Sequence, residues 1–170
     1  MSDSISDSPL LVSRSRLFHV VVLSAVGLAV ELLLIRWLDA EVRALAYFKN
    51  LALIAAFLGL GLGYALGGRK PRLVPYAAIL IALLLGLAAF LGSDAGTLLQ
   101  AGPTAPEANL GVRSASSPAE LLTFALVVAF AFFLAVLAMI PIGQLTAEYL
   151  EGIPPVAAYT ANILGSLLAK

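Results

Sequence analysis

Four long apolar segments limit what this chain can fold into. Each holds about 20 residues, the length that an α-helix needs to cross a hydrocarbon layer of about 30 Å. The chain is 61% hydrophobic and 12% charged, whereas a soluble domain has about 25% charged residues. So few polar side chains cannot cover a water-facing surface. The sequence therefore predicts an all-α, polytopic transmembrane helix bundle, with four full helices at about 17–38, 45–66, 73–91 and 121–142.

A fifth apolar segment, 154–169, is shorter than the other four. It begins with Pro154 and Pro155, and proline suits the first turn of a helix because the missing N–H has no partner there. We expect a partial fifth helix, after which the chain either ends with Lys170 at the membrane interface or continues. The predicted domains are a polar N-terminal tail, a transmembrane domain and, within it, an external loop, at 1–16, 17–170 and 92–120.

Basic residues between the second and third segments predict the orientation. The stretch 69–72 contains three of them, and cytoplasmic loops carry an excess of lysine and arginine. Arg14 and Arg16 precede the first segment, two crossings away, and therefore lie on the same side. The N-terminus is predicted to be cytoplasmic. The last connection holds Glu148 and Glu151 but no basic residue, so it does not support the assignment.

Charge and residue types exclude several classes of function. Ten basic and ten acidic residues give a formal net charge of zero, so no nucleic-acid partner is expected. The absence of cysteine excludes disulfides, thiolate metal ligands and thiol catalysis. No catalytic triad, phosphate loop or metal cluster is recognisable. We therefore expect no cofactor, no metal and no enzymatic activity of the chain on its own. The expected partners are membrane lipids and other membrane protein subunits.

Glu31 interrupts the first apolar segment and is the strongest candidate for a functional residue. An ionisable side chain at the centre of a membrane helix costs about 2.5–3.5 kcal/mol, so such residues usually face a partner or a cavity. Lys49, early in the second segment, lies at a depth that permits an ion pair with Glu31. Arg36 is also a candidate, although an interfacial position is expected for it. Three roles for Glu31 stay open: a structural ion pair, a site for a proton, ion or cationic ligand, and a contact with another chain.

The fifth segment carries a polar stripe. Tyr159, Asn162 and Ser166 are spaced three and four residues apart, so they share one face of a helix. Such side chains form hydrogen bonds between membrane helices, and a face that lines a ligand site is the alternative.

Small residues recur at every fourth position in three segments. Because residues four apart share a helix face, these stripes let another backbone approach closely, either within the bundle or in another chain. The packing candidates are Gly59, Gly63 and Gly67 in the second helix, Ala78, Ala82 and Gly86 in the third, and Gly165 in the fifth.

Pro141 is expected to end the fourth helix, because proline removes a backbone donor and clashes with the preceding turn. Gly143 and Gln144 follow it closely and favour the same end point. A broken helix that lines a cavity is the alternative.

Four short motifs occur along the chain. They are VELLLIR at 30–36, FLGLGLG with GGR at 57–69, IPIGQ at 140–144 and AYTANILGS at 158–166. In this order they resemble the membrane-embedded N-terminal region of prokaryotic spermidine-synthase-like membrane proteins. Val30 and Leu34 stand where that family has tyrosine and tryptophan. The resemblance implies the fold of the membrane part and a location in the prokaryotic cytoplasmic (inner) membrane. It does not imply aminopropyl transfer, because the family's catalytic domain has no counterpart in these residues.

Three functions follow from the sequence. The leading hypothesis is a non-catalytic integral membrane module that acts as an anchor or subunit of a larger membrane assembly. The second is a small transporter or channel-like unit for a cationic or protonic ligand. The third is the membrane half of a polyamine-synthase-like enzyme.

Overall fold

A computed structural model of the protein describes residues 14–41, 50–69, 71–97, 99 and 117–169. Within these residues the fold is all-helical and contains no strand, so the predicted all-α class is confirmed. A 3-10 turn, Val74–Tyr76, leads into the third helix, and a single helical turn, Asp94–Thr97, follows that helix. The main helices are α1 (Arg14–Glu41), α2 (Leu51–Ala65), α3 (Ala77–Gly92), α4 (Pro118–Leu150) and α5 (Pro155–Leu168).

Three helical segments are long and apolar enough to cross a membrane: Arg14–Trp37, Val74–Gly92 and Pro118–Leu150. The prediction of membrane-spanning helices is confirmed for these three. α2 and α5 have 15 and 14 residues, which corresponds to about 21–22 Å at 1.5 Å per residue. The predicted count of four full helices and one partial helix is therefore not confirmed. The first residues of the predicted second helix, 45–49, lie outside the described residues.

The ends of α1 differ from the prediction. The helix begins at Arg14 and ends at Glu41, whereas the sequence predicts 17–38. Residues 14–16, which the sequence assigns to the N-terminal tail, are therefore helical. The prediction placed the helix ends where the apolar run stops. A membrane helix can continue beyond the hydrocarbon layer because long basic side chains reach the interface while their stems remain in apolar surroundings.

α4 also begins earlier than expected, at Pro118 and not at 121. Ser117 is the N-cap, and its side-chain oxygen accepts a hydrogen bond from the backbone N–H of Glu120 at 3.3 Å. Pro118 occupies the first helical position, where its missing N–H has no cost. The predicted external loop, 92–120, therefore includes the turn after α3 at its start and the first residues of α4 at its end.

The prediction that α4 ends near Pro141 is wrong, because the helix continues to Leu150. Proline inside a membrane helix is tolerated where neighbouring helices and side-chain hydroxyls compensate for the lost backbone bond. Pro141 is fully buried within the bundle, and its missing N–H leaves the carbonyl oxygen of Leu137 without its usual helical donor. The connection to α5 is consequently short, and Gly152 within it has a φ of 79°, which favours glycine.

α2 and α4 pack through a line of close backbone contacts, which we call the glycine seam (Gly59 and Gly63 of α2 and Gly67 in the turn that follows it, with Gly143 of α4). A Cβ atom added at Gly63 would lie 2.7 Å from the Cα of Gly143. Added Cβ atoms at Gly59 and Gly67 would lie 2.7 Å and 2.5 Å from the Cβ atoms of Met139 and Ala147. Because both sets of contacts advance in the same order along the chain, α2 and α4 run parallel.

α5 packs on α1 through a second close contact. A Cβ atom at Gly165 would lie 2.7 Å from the Cβ of Ser24, and Val20 and Ala161 are buried nearby. α2 and α5, by contrast, make almost no contact with each other. The α2–α4 and α1–α5 pairings leave a space between α2 and α5, and α1 and α4 line the inner side of this space.

The small-residue stripe of α3 does not pack against the described residues. Ala78, Ala82 and Gly86 are exposed, and among these residues a Cβ atom added at Gly86 would meet nothing within 4 Å. Leu84, Ala88 and Leu91, on another face of α3, provide the buried contacts. Of the two alternatives for the stripe, contact with another chain stays a prediction.

Charged residues collect at one end of the bundle, which we call the charged end (Arg16, Arg69, Arg72, Glu148 and Glu151). Arg72 forms an ion pair with Glu148 at 3.4 Å, and Arg16 donates a hydrogen bond to the Glu151 carbonyl oxygen at 3.0 Å. The two glutamates that gave no support to the orientation therefore lie beside arginines of the predicted cytoplasmic side.

Gln144 fixes the loop between α2 and α3 to α4. Its side chain is only 1% exposed. The amide nitrogen donates to the carbonyl oxygen of Pro71, and the amide oxygen accepts from the backbone N–H of Leu73, both at 2.8 Å. Gln144 does not end the helix but satisfies two backbone groups of the neighbouring loop.

Candidate functional site

The space between α1, α2, α4 and α5 forms a cavity of about 240 Å³, which we call the polar pocket. Small-molecule pockets usually measure about 300–1,000 Å³, so this one suits only a small ligand or part of a larger one. Its polar lining residues are Ser24, Glu31, Tyr64, Thr146, Asn162 and Ser166, and its apolar lining residues are Leu23, Gly27, Leu28, Phe57, Leu60 and Ile142.

Glu31 is the only acidic residue among those that line the pocket, and it is just 7% exposed. Ser24, Gly27 and Glu31 lie on one face of α1 because they are spaced at helical intervals. Within the described residues Glu31 has no hydrogen-bond or ion-pair partner. The predicted partner, Lys49, lies outside the described residues, so the predicted ion pair stays a prediction.

A hydrogen bond between two polar side chains crosses the α1–α5 contact. The Ser24 hydroxyl donates to the side-chain oxygen of Asn162 at 2.8 Å. This bond uses the carbonyl end of the Asn162 amide and leaves its NH₂ group without a partner among the described residues. Ser24 and Asn162 thus hold α5 against α1 and still present polar atoms to the pocket.

Tyr64 and Thr146 form the part of the pocket nearest to the charged end. They belong to α2 and α4, and both line the pocket. Thr146 is almost fully buried, whereas Tyr64 is 43% exposed. The glycine seam sets this arrangement, because it fixes how far α2 is rotated and shifted along α4.

The six residues predicted as a polar or ligand site separate into three groups. Glu31, Asn162 and Ser166 come together in the polar pocket. Arg36 is exposed and does not line it, and the interfacial position expected for it stays a prediction. Lys49 lies outside the described residues.

Tyr159 shares a helix face with Asn162 and Ser166 but does not line the pocket, and it is 68% exposed. The reason is depth, because Tyr159 lies about 10 Å closer to the charged end than Ser166 at 1.5 Å per residue. The four glycines named as packing residues, Gly59, Gly63, Gly67 and Gly165, lie at the two close helix contacts described above.

Several lining residues were not identified from the sequence, among them Phe57, Tyr64 and Thr146. Tyr64 and Thr146 carried a usable signal, because each is a polar side chain in or beside an apolar segment, like Asn162. Phe57 carried none, since a phenylalanine in a membrane helix is ordinary.

Metal binding by side-chain clusters finds no support in the part of the chain that the structure describes. No group of three His, Asp or Glu residues there is close enough to hold a metal ion. The chemistry that the pocket offers is simpler. It provides one buried carboxylate, several hydroxyl groups and one amide, surrounded by apolar walls.

Comparisons with protein-family models, curated proteins and solved structures gave no significant match. The resemblance to spermidine-synthase-like membrane proteins therefore stays a prediction from the four motifs. The fold brings a residue of each motif to the polar pocket: Glu31, Phe57, Ile142 and Asn162.

Proposed function

We propose that this chain is a non-catalytic integral membrane module that binds a small cationic ligand in the polar pocket. The observation that carries this proposal is the environment of Glu31. The carboxyl group is almost fully buried, has no partner among the described residues and lines a cavity. Within the described residues no positive charge compensates Glu31, and a bound cation would offset the cost of burying its carboxylate.

The depth of Glu31 strengthens the argument. The residue lies about 22 Å along α1 from Arg16 at the charged end, at 1.5 Å per residue. This places the carboxyl group inside the apolar layer and far from the arginines of the charged end. Interactions between charges are strong where water is excluded, so a cation at this position is held more tightly than at the surface.

The Glu31 carboxylate is the charged acceptor that the pocket offers to a cation. The Ser24 hydroxyl lines the same cavity, but it lies seven residues, or about 10 Å along α1, from Glu31 and so does not contact the same ammonium group. The apolar walls exclude water and so favour a ligand that is less strongly hydrated than an inorganic ion.

The test uses the protein in lipid nanodiscs with methylammonium chloride as the probe and sodium chloride at equal ionic strength as the reference. At 100 times its dissociation constant, methylammonium should raise the free energy of unfolding by about 2.7 kcal/mol. Glu31→Gln, which keeps the shape and removes the charge, should abolish this increase. Arg36→Gln is the matched control, because it removes a charge from the same helix outside the pocket. An equal increase in wild type and Glu31→Gln would contradict the proposal.

Transport is a stronger form of the same proposal. In reconstituted vesicles a transporter carries methylammonium across the bilayer in a Glu31-dependent way, whereas a binding module only retains it. Uptake that is equal in wild type, Glu31→Gln and protein-free vesicles would exclude the transporter form.

The proposal includes an orientation in the membrane. Arg16, Arg69 and Arg72 lie at the charged end, and cytoplasmic loops are enriched in such residues. We place this end in the cytoplasm, with the chain in a prokaryotic inner membrane as the motif resemblance implies. A cysteine at Arg69, in this cysteine-free chain, should react with an impermeant maleimide only when the cytoplasmic side is accessible.

A second candidate function is a subunit of a larger membrane assembly. The outward stripe of α3 favours it, because Ala78, Ala82 and Gly86 leave room for a close helix that no described part of the chain supplies. Gly86→Leu should then disrupt an assembly of native membranes, while Gly61→Leu, at an exposed glycine of α2, should not. Native mass spectrometry measures both, and unchanged assembly in Gly86→Leu would contradict this candidate.

The third sequence hypothesis, the membrane half of a polyamine-synthase-like enzyme, is supported only by the four motifs. A full-length gene that encodes a transferase domain after this region would favour it.

A further inference from the structure

One side of the polar pocket is open. α2 is held by α4 through the glycine seam, α5 is held by α1, and α2 and α5 make almost no contact with each other. Phe57 of α2 lines the pocket and is nevertheless 61% exposed. Asn162 and Ser166 of α5 are only partly buried, although both are polar. The pocket therefore opens through the side of the bundle, between α2 and α5.

The opening lies at the depth of the hydrocarbon layer. Phe57 is about 12 Å from the end of α2 at Ala65, and Glu31 is about 22 Å along α1 from Arg16, at 1.5 Å per residue. Ala65 and Arg16 both lie toward the charged end of the bundle. A molecule dissolved in the bilayer can enter here directly, whereas a solute from water has to reach the pocket from the charged end past Tyr64 and Thr146.

The two sides of the pocket differ in chemistry. Glu31 lies on α1, is almost fully buried and supplies a negative charge. Phe57 and Leu60 on α2 and Leu28 on α1 supply apolar surface. A site with a charge at its inner wall and apolar residues at a membrane-facing opening matches a ligand with a charged head and a hydrocarbon body.

We infer that the pocket takes an amphiphilic ammonium ligand from the bilayer. The ammonium group lies against Glu31, and the hydrocarbon body passes between α2 and α5 along the Phe57 ring. The inference rests on the proposed function and adds to it the chemical class of the ligand and its route. The cavity is small, so the hydrocarbon body extends through the opening and is not enclosed.

A series of n-alkylammonium chlorides from methyl to hexyl tests this inference in nanodiscs. Dissociation constants are referred to the free aqueous concentration, and the signal of Glu31→Gln is subtracted to remove partition into lipid. Each methylene that leaves water should lower the dissociation constant by about fourfold. Phe57→Ala should reduce this gain in affinity per methylene for the methylenes next to the ring. Phe57→Leu, which keeps an apolar side chain, should retain most of the gain.

Phe133→Ala is the matched control, because Phe133 is also 61% exposed and lies outside the polar pocket. It should leave the gain per methylene unchanged. If methylammonium binds through Glu31 but longer chains bind no more tightly, the inference is overturned and the proposed function stands. A gain that Phe57→Ala and Phe133→Ala affect equally also overturns the inference. If no member of the series binds, both proposals are overturned.

Discussion

α2 has two faces that meet the rest of the bundle in opposite ways. On one face, Gly59 and Gly63, with Gly67 in the turn that follows α2, bring its backbone against that of α4. On the other, Phe57 and Tyr64 border a cavity of about 240 Å³ that opens between α2 and α5. The first face packs directly against α4 without a gap, whereas the second leaves room for a ligand.

The difference shows how a membrane bundle can keep a polar cavity open. Lipid tails are as apolar as the helices, so close packing and polar contacts drive helix association in the bilayer. The glycine seam supplies the close packing and fixes α2 on α4. α5 is held by Gly165 and by the Ser24–Asn162 bond, and no comparable contact draws it toward α2. The predictions below concern substitutions in the glycine seam first and on the pocket side last.

The largest effect is expected at the centre of the seam. In Gly63→Ala the new methyl group would collide with the carbonyl oxygen of Ile140 and lie 2.7 Å from the Cα of Gly143. No rotamer relieves a collision with backbone, so the free energy of unfolding should fall by about 2–3 kcal/mol. Unfolding in sodium dodecyl sulfate, followed by the fluorescence of Trp37, the single tryptophan, measures this change.

Gly61→Ala is the matched control for the seam. It makes the same substitution two residues away, where an added Cβ meets nothing within 4 Å. Alanine forms helix more readily than glycine by up to about 1 kcal/mol, so this variant should be as stable as wild type or slightly more so. Equal destabilisation by the two variants would show that the seam does not hold α2 on α4.

An intermediate effect is expected at Gln144. Gln144→Ala leaves the carbonyl oxygen of Pro71 and the N–H of Leu73 without their side-chain partner. Leaving a buried polar group unsatisfied costs about 1–3 kcal/mol, and because Pro71 is exposed and Leu73 only half-buried we expect a loss near the lower end of that range. Gln144→Met keeps most of the side-chain volume and should lose nearly as much in the same unfolding assay. If Gln144→Met is as stable as wild type, the side-chain volume lost in Gln144→Ala, and not the lost hydrogen bonds, explains the destabilisation.

The smallest effect is expected on the pocket side. Ser24→Ala and Asn162→Ala each remove one partner of the bond between α1 and α5. Hydrogen bonds between membrane helices contribute about 0.6 kcal/mol on average, and a double-mutant cycle should give a coupling of that size. Coupling as large as the Gly63→Ala effect would mean that the pocket side is as firmly packed as the seam.

The sequence predicted the elements better than the contacts between them. Apolar runs of sufficient length identified the spanning segments, because the thickness of the bilayer fixes that length. Helical spacing placed Asn162 and Ser166 on one face, and the cost of a buried charge singled out Glu31. Tyr64 and Thr146 were not predicted, because their proximity depends on how α2 is rotated on α4. The periodicity of a single helix does not determine this rotation.

The errors at α4 have local causes. Pro141 was treated by the rule for helices in water, whereas a buried membrane helix can continue through a proline. The start at Pro118 was readable from Ser117 and Glu120, whose spacing matches the capping box, but the apolar run begins later and set the prediction. Glu148 lies beside Arg72 only in the folded chain, so its sequence position alone suggested a conflict with the orientation.

The central claim is that Glu31 holds a cation in the polar pocket, and direct observation of the ligand tests it best. The measurement is the line width of ¹³C-labelled methylammonium by NMR in the presence of the protein in nanodiscs. Wild type and Arg36→Gln should broaden the resonance by exchange with the bound state, and Glu31→Gln should leave it as sharp as empty nanodiscs do. Equal broadening by wild type and Glu31→Gln would contradict the account.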